Sequence, residues 1–168
     1  MKRSLIFVSL CCLLMVGFWS VSAAPANFAG TWSLDKAKSE GLQGPMANAD
    51  QTWVVTQDAK TLTVETTITG TEQPIPPSKR TYNLDGSETT MEVTGRMPGK
   101  AALKAKWQGD GKVLELSSVR NVNVQGNDVT ITSTEHWELA DGGKTLKVHR
   151  TQESPRGKQE TTLTFAKK

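Results

Sequence analysis

The chain has 168 residues, with 20 basic and 17 acidic side chains for a formal charge of +3, and 36% of its residues are hydrophobic. That length suits one domain whose core is large enough to hold together without staples. The basic residues near the C-terminus alternate with Thr and Glu instead of forming a stripe, so a nucleic-acid partner is not expected.

The first two dozen residues differ from the rest. Lys2 and Arg3 precede an apolar run over residues 5–18, and small residues follow at Val21, Ser22, Ala23 and Ala24. This is the pattern of a secretory signal peptide, and a cut after Ala23 keeps Pro25 from starting the mature chain. The apolar run is short for a spanning helix, which needs about 20 residues. Leu10 before Cys11 does not suit a lipid-anchor site. The expectation is a leader over residues 1–23 and a periplasmic or secreted domain over residues 24–168, with no stable membrane anchor after cleavage. Cys11 and Cys12 are the two cysteines and both fall in the leader, so the mature domain has neither disulfide nor Cys-based metal site. Losing Lys2 and Arg3 leaves 18 basic against 17 acidic residues, a charge of +1.

Past residue 25 no helical period appears. Short runs rich in Val, Thr, Leu and Trp alternate apolar with polar, and turn residues interrupt them at regular spacing. This pattern predicts an all-β domain. Strands are expected near residues 28–34, 50–57, 61–69, 78–84, 87–94, 101–108, 112–125, 128–139, 145–152 and 159–166. Asp35 is placed to cap a single helical turn over residues 35–39. Asp85-Gly86 suits a two-residue type I′ hairpin and Gly126-Asn127 a type II′ hairpin. Ser154-Pro155-Arg156-Gly157 suits a type I turn, and residues 109–112 and 141–144 read as four-residue loops.

These turns fix the register, and paired residues must share a face. The expected pairs are Trp107 with Leu114, Ala105 with Leu116, Leu116 with Trp137, Trp137 with Val148 and Leu146 with Phe165. Lys106 with Glu115, Glu138 with Lys147 and Glu153 with Lys158 fall on the other face. The separate hairpins agree on one apolar and one charged face. An antiparallel up-and-down meander of about ten strands, closed into a barrel, buries that face and removes the edges. A two-sheet β-sandwich satisfies the same alternation. Long connections at residues 35–49, 70–77 and 95–100 gather at one end, and tight turns gather at the other. The ends read as a mouth and a floor.

Asn27-Phe28-Ala29-Gly30-Thr31-Trp32 resembles the Gly-x-Trp entry of calycin barrels, and the mature chain resembles small exported bacterial lipocalin-like proteins. The resemblance implies a ligand-binding barrel with Trp32 sealing the floor beside Gly30, Trp107, Trp137 and Phe165. Two features of that family are missing from residues 161–165: a basic residue inside the final strand, and an Arg-x-Tyr carboxylate clamp. No particular ligand is therefore implied.

Register places a polar cluster above the floor. Arg120 is expected opposite Ser133, Ser118 opposite Glu135, and Glu135 opposite Arg150, with Arg80 and Tyr82 facing inward. One Glu135 cannot neutralise three arginines, and guanidinium forks match carboxylate or phosphate. The expected guest is a small amphipathic or anionic molecule, its head at Arg120 and Arg150 and its apolar part against Trp53, Val55 and Val64. His136 and His149 face each other on the outer surface without a good third ligand, so no metal and no cofactor are expected. No nucleophile elbow, inward histidine or phosphate loop is present, so no catalytic residue is assigned. Two alternatives stand beside the binding reading. One is an envelope or inhibitor protein docking a partner through residues 35–49 and 70–78, and the other is a cavity isomerase or cyclase using Glu135 as base.

Overall fold

In the computed structural model, residues 24–94, 98–124 and 126–168 are described. The expected leader and part of the 95–100 connection lie outside them. The period-two alternation produces ten antiparallel strands: β1 (Gly30–Leu34), β2 (Asp50–Gln57), β3 (Thr61–Thr69), β4 (Ile75–Asn83), β5 (Thr89–Val93), β6 (Gly99–Gln108), β7 (Val113–Val124), β8 (Asn127–Ala140), β9 (Thr145–Ser154) and β10 (Gly157–Lys167). All ten belong to one sheet in the order β4-β3-β2-β1-β10-β9-β8-β7-β6-β5. The first and last strands pair, so the sheet curls into a nearly closed barrel. A two-layer sandwich is ruled out.

Most of the expected register holds. Trp107 faces Leu114, Ala105 faces Leu116 and Lys106 faces Glu115. Trp137 faces Val148 and Glu138 faces Lys147, while Leu146 faces Phe165 and Glu153 faces Lys158. The β7–β8 hairpin is different. Val124 pairs with Asn127, so Leu114 faces Trp137, Leu116 faces Glu135, Ser118 faces Ser133 and Arg120 faces Ile131. The turn closes one residue earlier than Gly126-Asn127 would place it. The Asn123 carbonyl Oδ1 accepts the Gly126 N–H at 2.9 Å, and its Nδ2 donates to Asp128 at 2.9 Å. A slip of two residues keeps every side chain on its face, which is why the inward set survives.

The second correction concerns Asp85-Gly86. The chain does turn there, with the Gly86 N–H on the Asn83 carbonyl, but β4 and β5 are not bonded neighbours. Asp85 accepts from both the N–H and the hydroxyl of Ser87, which closes a local Asx turn and leaves the two strands to diverge. The seam between them is crossed by the Thr89 hydroxyl, which donates to the Thr81 carbonyl at 2.6 Å. β4 also starts earlier than expected and includes Pro76 and Pro77. Proline is tolerated on such an edge.

Aromatic rings fill the lower barrel. Trp53 stacks on Trp137 at 5.0 Å and packs on Phe165 at 4.2 Å, and all three are fully buried. Phe28 lies ahead of β1 and plugs the floor, 6.1 Å from Trp107 and 5.8 Å from Trp137. Its backbone N–H donates to Gln57, and its carbonyl accepts from the Trp32 indole at 2.9 Å. The last strand runs two residues past Phe165, and Lys167 places its ammonium 5.2 Å from the Trp32 ring centroid. The floor tryptophan therefore has a basic companion beyond residues 161–165. Gly30 makes room for it, since a Cβ there would sit 2.7 Å from the Lys167 Cε.

Residues 35–49 cross the mouth beside β10. Asp35 caps a single 3-10 turn, Lys36–Lys38, and the Ser39 hydroxyl accepts the Thr164 N–H at 3.0 Å. Gly41 then adopts φ +74°, and a Cβ there would lie 2.5 Å from the Glu160 carbonyl. Gly41→Ala is expected to cost about 1–3 kcal/mol, seen as a lower midpoint in urea unfolding. An unchanged midpoint would mean that this segment is not held against β10.

Candidate ligand cavity

Inward parity on β2, β4, β7, β8 and β9 converges on a cavity of about 290 Å³. Arg80, Ser118, Arg120, Ser133, Glu135 and Arg150 all line it, as does Trp53. Tyr82 does not. It is closed into the core with its ring 6.0 Å from the Arg80 guanidinium carbon, where burial pushes its phenol pKa up. Val55 and Val64 are likewise buried core residues and are not among the residues lining this cavity. The apolar wall is formed instead by Ile68, Met91, Val93, Ala101, Leu103 and Ile131.

Glu135 is the hub of the polar wall and only 3% exposed. One carboxylate oxygen, Oε1, accepts from Arg150 Nε at 3.0 Å and from Arg80 Nη1 at 3.3 Å. The other accepts from the Trp137 indole at 2.9 Å. Burial alone pushes this carboxyl pKa up, but the charges of Arg150 and Arg80 and the indole bond outweigh it and hold the value at about 2. Glu135 in turn raises the Arg80 pKa against the opposing effect of burial. A base this weak is poorly suited to taking a proton near neutral pH.

Arg120 is placed differently. Its partner across β8 is Ile131, and its Nε is buried without a hydrogen-bond partner among the described residues. The Trp53 indole N–H is orphaned in the same way. Both side chains line the cavity. Ser118 and Ser133 stand opposite each other one step along the same strands.

A second chamber of about 460 Å³ lies beneath residues 41–46. Gln51, Arg150 and Gln152 line both chambers. Neither Gln51 nor Thr66 was singled out from sequence, although period-two parity from Trp53 and Val64 would have placed both inside. His136 and His149 face each other outside, as expected. His136 Nε2 lies 3.3 Å from Glu115 and His149 beside Thr162. Among the described residues no three His, Cys, Asp or Glu side chains converge as a metal-binding group.

The strand order and the single curled sheet define a calycin-like barrel. No protein-family model and no curated protein matches the chain. Among solved structures the chain is similar to zebrafish ileal bile acid-binding protein complexed with cholic acid, with TM-score 0.55, 14% identity, and 84% of this chain and 98% of that one covered. It is also similar to a secretary abundant heat soluble (SAHS) protein from Ramazzottius varieornatus, with TM-score 0.53, 12% identity, and 83% and 94% of the two chains covered. At such low identity these likenesses speak to the fold.

Proposed function

We propose that the chain is an exported binding protein that holds a small amphipathic anion inside its barrel. One observation carries this reading. Two buried donors, Arg120 Nε and Trp53 Nε1, are left without acceptors among the described residues, in a cavity whose one lining carboxylate is already committed to Arg80, Arg150 and Trp137. A buried donor without an acceptor costs free energy, and a guest acid offers the missing acceptors together with the missing negative charge. Ligand sites usually run from about 300 to 1,000 Å³, so the head-group chamber alone suits a compact guest. The Lys2-Arg3 start, the apolar run and the Val21-Ser22-Ala23 end support delivery to the periplasm or beyond. A cavity-lining calycin-like fold supports binding over docking through the mouth segments.

Arg120→Leu tests it. Affinity for undecanoic acid, measured by titration calorimetry, should fall about 10- to 100-fold. Folding stability should be unchanged or raised, because an unpartnered buried donor is removed. Equal affinity in the variant and the parent would place the head group elsewhere or nowhere.

A further inference from the structure

The boundary between the two chambers has its own chemistry. Gln51 and Gln152 carry amides that both donate and accept, and with Arg150 they face both chambers. Gln51 is only 8% exposed, and it is a buried polar residue in a largely apolar interior. Gln152 stands across from Ser133 on one side and Gln159 on the other. No hydrogen bond holds the Gln51 or Gln152 side-chain amide to another described residue. Arg150, by contrast, is anchored to Glu135 through Nε at 3.0 Å and Nη2 at 2.9 Å. Beyond this boundary, Leu42, Met46 and Leu163 give the second chamber an apolar part.

A guest whose acid group sits on Arg120, and whose body is long enough to enter the second chamber, must pass Gln51 and Gln152. A plain alkyl segment there would bury two amides against methylenes. Polar groups withdrawn from water without partners disfavour binding. A guest with a hydrogen-bonding group partway along would satisfy them instead. We infer that the ligand is an acid interrupted by an internal amide or comparable donor–acceptor group, which is read by Gln51 and Gln152 where the chambers meet. This rests on the proposal that an acid binds at Arg120 and narrows it from any amphipathic acid to one class. Sites built to hydrogen-bond a guest discriminate sharply against analogues that lack the group.

Two acids of equal chain length separate the outcomes. 5-(Pentanoylamino)pentanoic acid carries an amide at the middle of its eleven-atom chain, and undecanoic acid has methylenes in its place. Titration calorimetry on the mature chain should show the amide acid binding about tenfold tighter. The double variant Gln51→Leu/Gln152→Leu should lose that preference and bind undecanoic acid at least as tightly as the parent, because no amide is then buried against its methylenes, and the retained binding also shows that the variant is folded. Equal affinity of the two acids for the parent protein overturns the inference, and so does a preference that survives the double substitution. Binding of neither acid overturns the head-group reading at Arg120 itself, a different result from loss of preference.

Discussion

Replacing Glu135 with leucine is expected to remove about 3–5 kcal/mol of folding stability, because it strands two guanidiniums and an indole N–H inside the barrel. Arg80 comes from β4 and Glu135 from β8, so their 3.3 Å contact reaches across the lumen. Arg150 from β9 completes the grip at 2.9 Å. Urea unfolding of Glu135→Leu beside the parent protein measures the loss. A loss below about 1 kcal/mol would mean that water, not the carboxylate, satisfies the arginines. Replacing all three charged groups with leucine or methionine should recover most of the stability, since well-packed apolar groups often match a buried ion pair. The same carboxyl predicts an acid limit. Its folded pKa of about 2 lies below its ordinary value of 4.5, so its stabilising contribution is full above the ordinary value. That contribution drains away as pH falls from there through about 2. A Glu135→Gln chain should lose this part of its pH dependence in the same window, and an identical acid-unfolding profile would contradict the assignment.

Trp137→Ala is the second large loss, about 3–5 kcal/mol for emptying a buried tryptophan site. The ring touches Trp53 at 5.0 Å and Phe28 at 5.8 Å, and its N–H holds Glu135 at 2.9 Å. It thus joins the dry floor to the polar wall. Trp137→Phe keeps much of the packing but removes the donor, so its cost should fall well below that of alanine. It should also raise the Glu135 pKa by removing one stabilising bond. If phenylalanine proves as damaging as alanine, the indole hydrogen bond rather than ring volume dominates at this position.

Strand identity and facing were legible in the sequence because both depend on a local period of two. Leu114, Leu116, Ser118 and Arg120 had to share a face whichever turn joined β7 to β8. The exact pairing depended on one side chain, Asn123, whose amide decides where the hairpin closes. Ser118 was therefore expected opposite Glu135 and instead faces Ser133. Asp85-Gly86 misled for a related reason. A turn signal fixes the bend but not whether the strands on either side remain paired. Phe28 was read as part of the first strand, yet it reaches the floor as a plug before β1 begins. Lys167 lay one residue past the expected end of the last strand, so its contact with Trp32 was invisible. The Arg80–Glu135 contact spans 55 residues of sequence. No local pattern encodes such a distance, and only closure of the sheet brings the two together.

The seam between β4 and β5 divides the barrel into an N-terminal meander of four strands and a C-terminal meander of six. Within each half, every ladder joins strands adjacent along the chain and can zip outward from a nearby turn. Between the halves, the lasting ladder is the one that pairs Trp32 with Lys167, nearly the whole length of the domain apart. Bringing those ends together carries the largest chain-entropy penalty of any pairing in the sheet. The order of strands therefore makes suturing of the two halves the costliest closure in chain entropy, and the Arg80–Glu135 contact clasps the same two halves across the lumen.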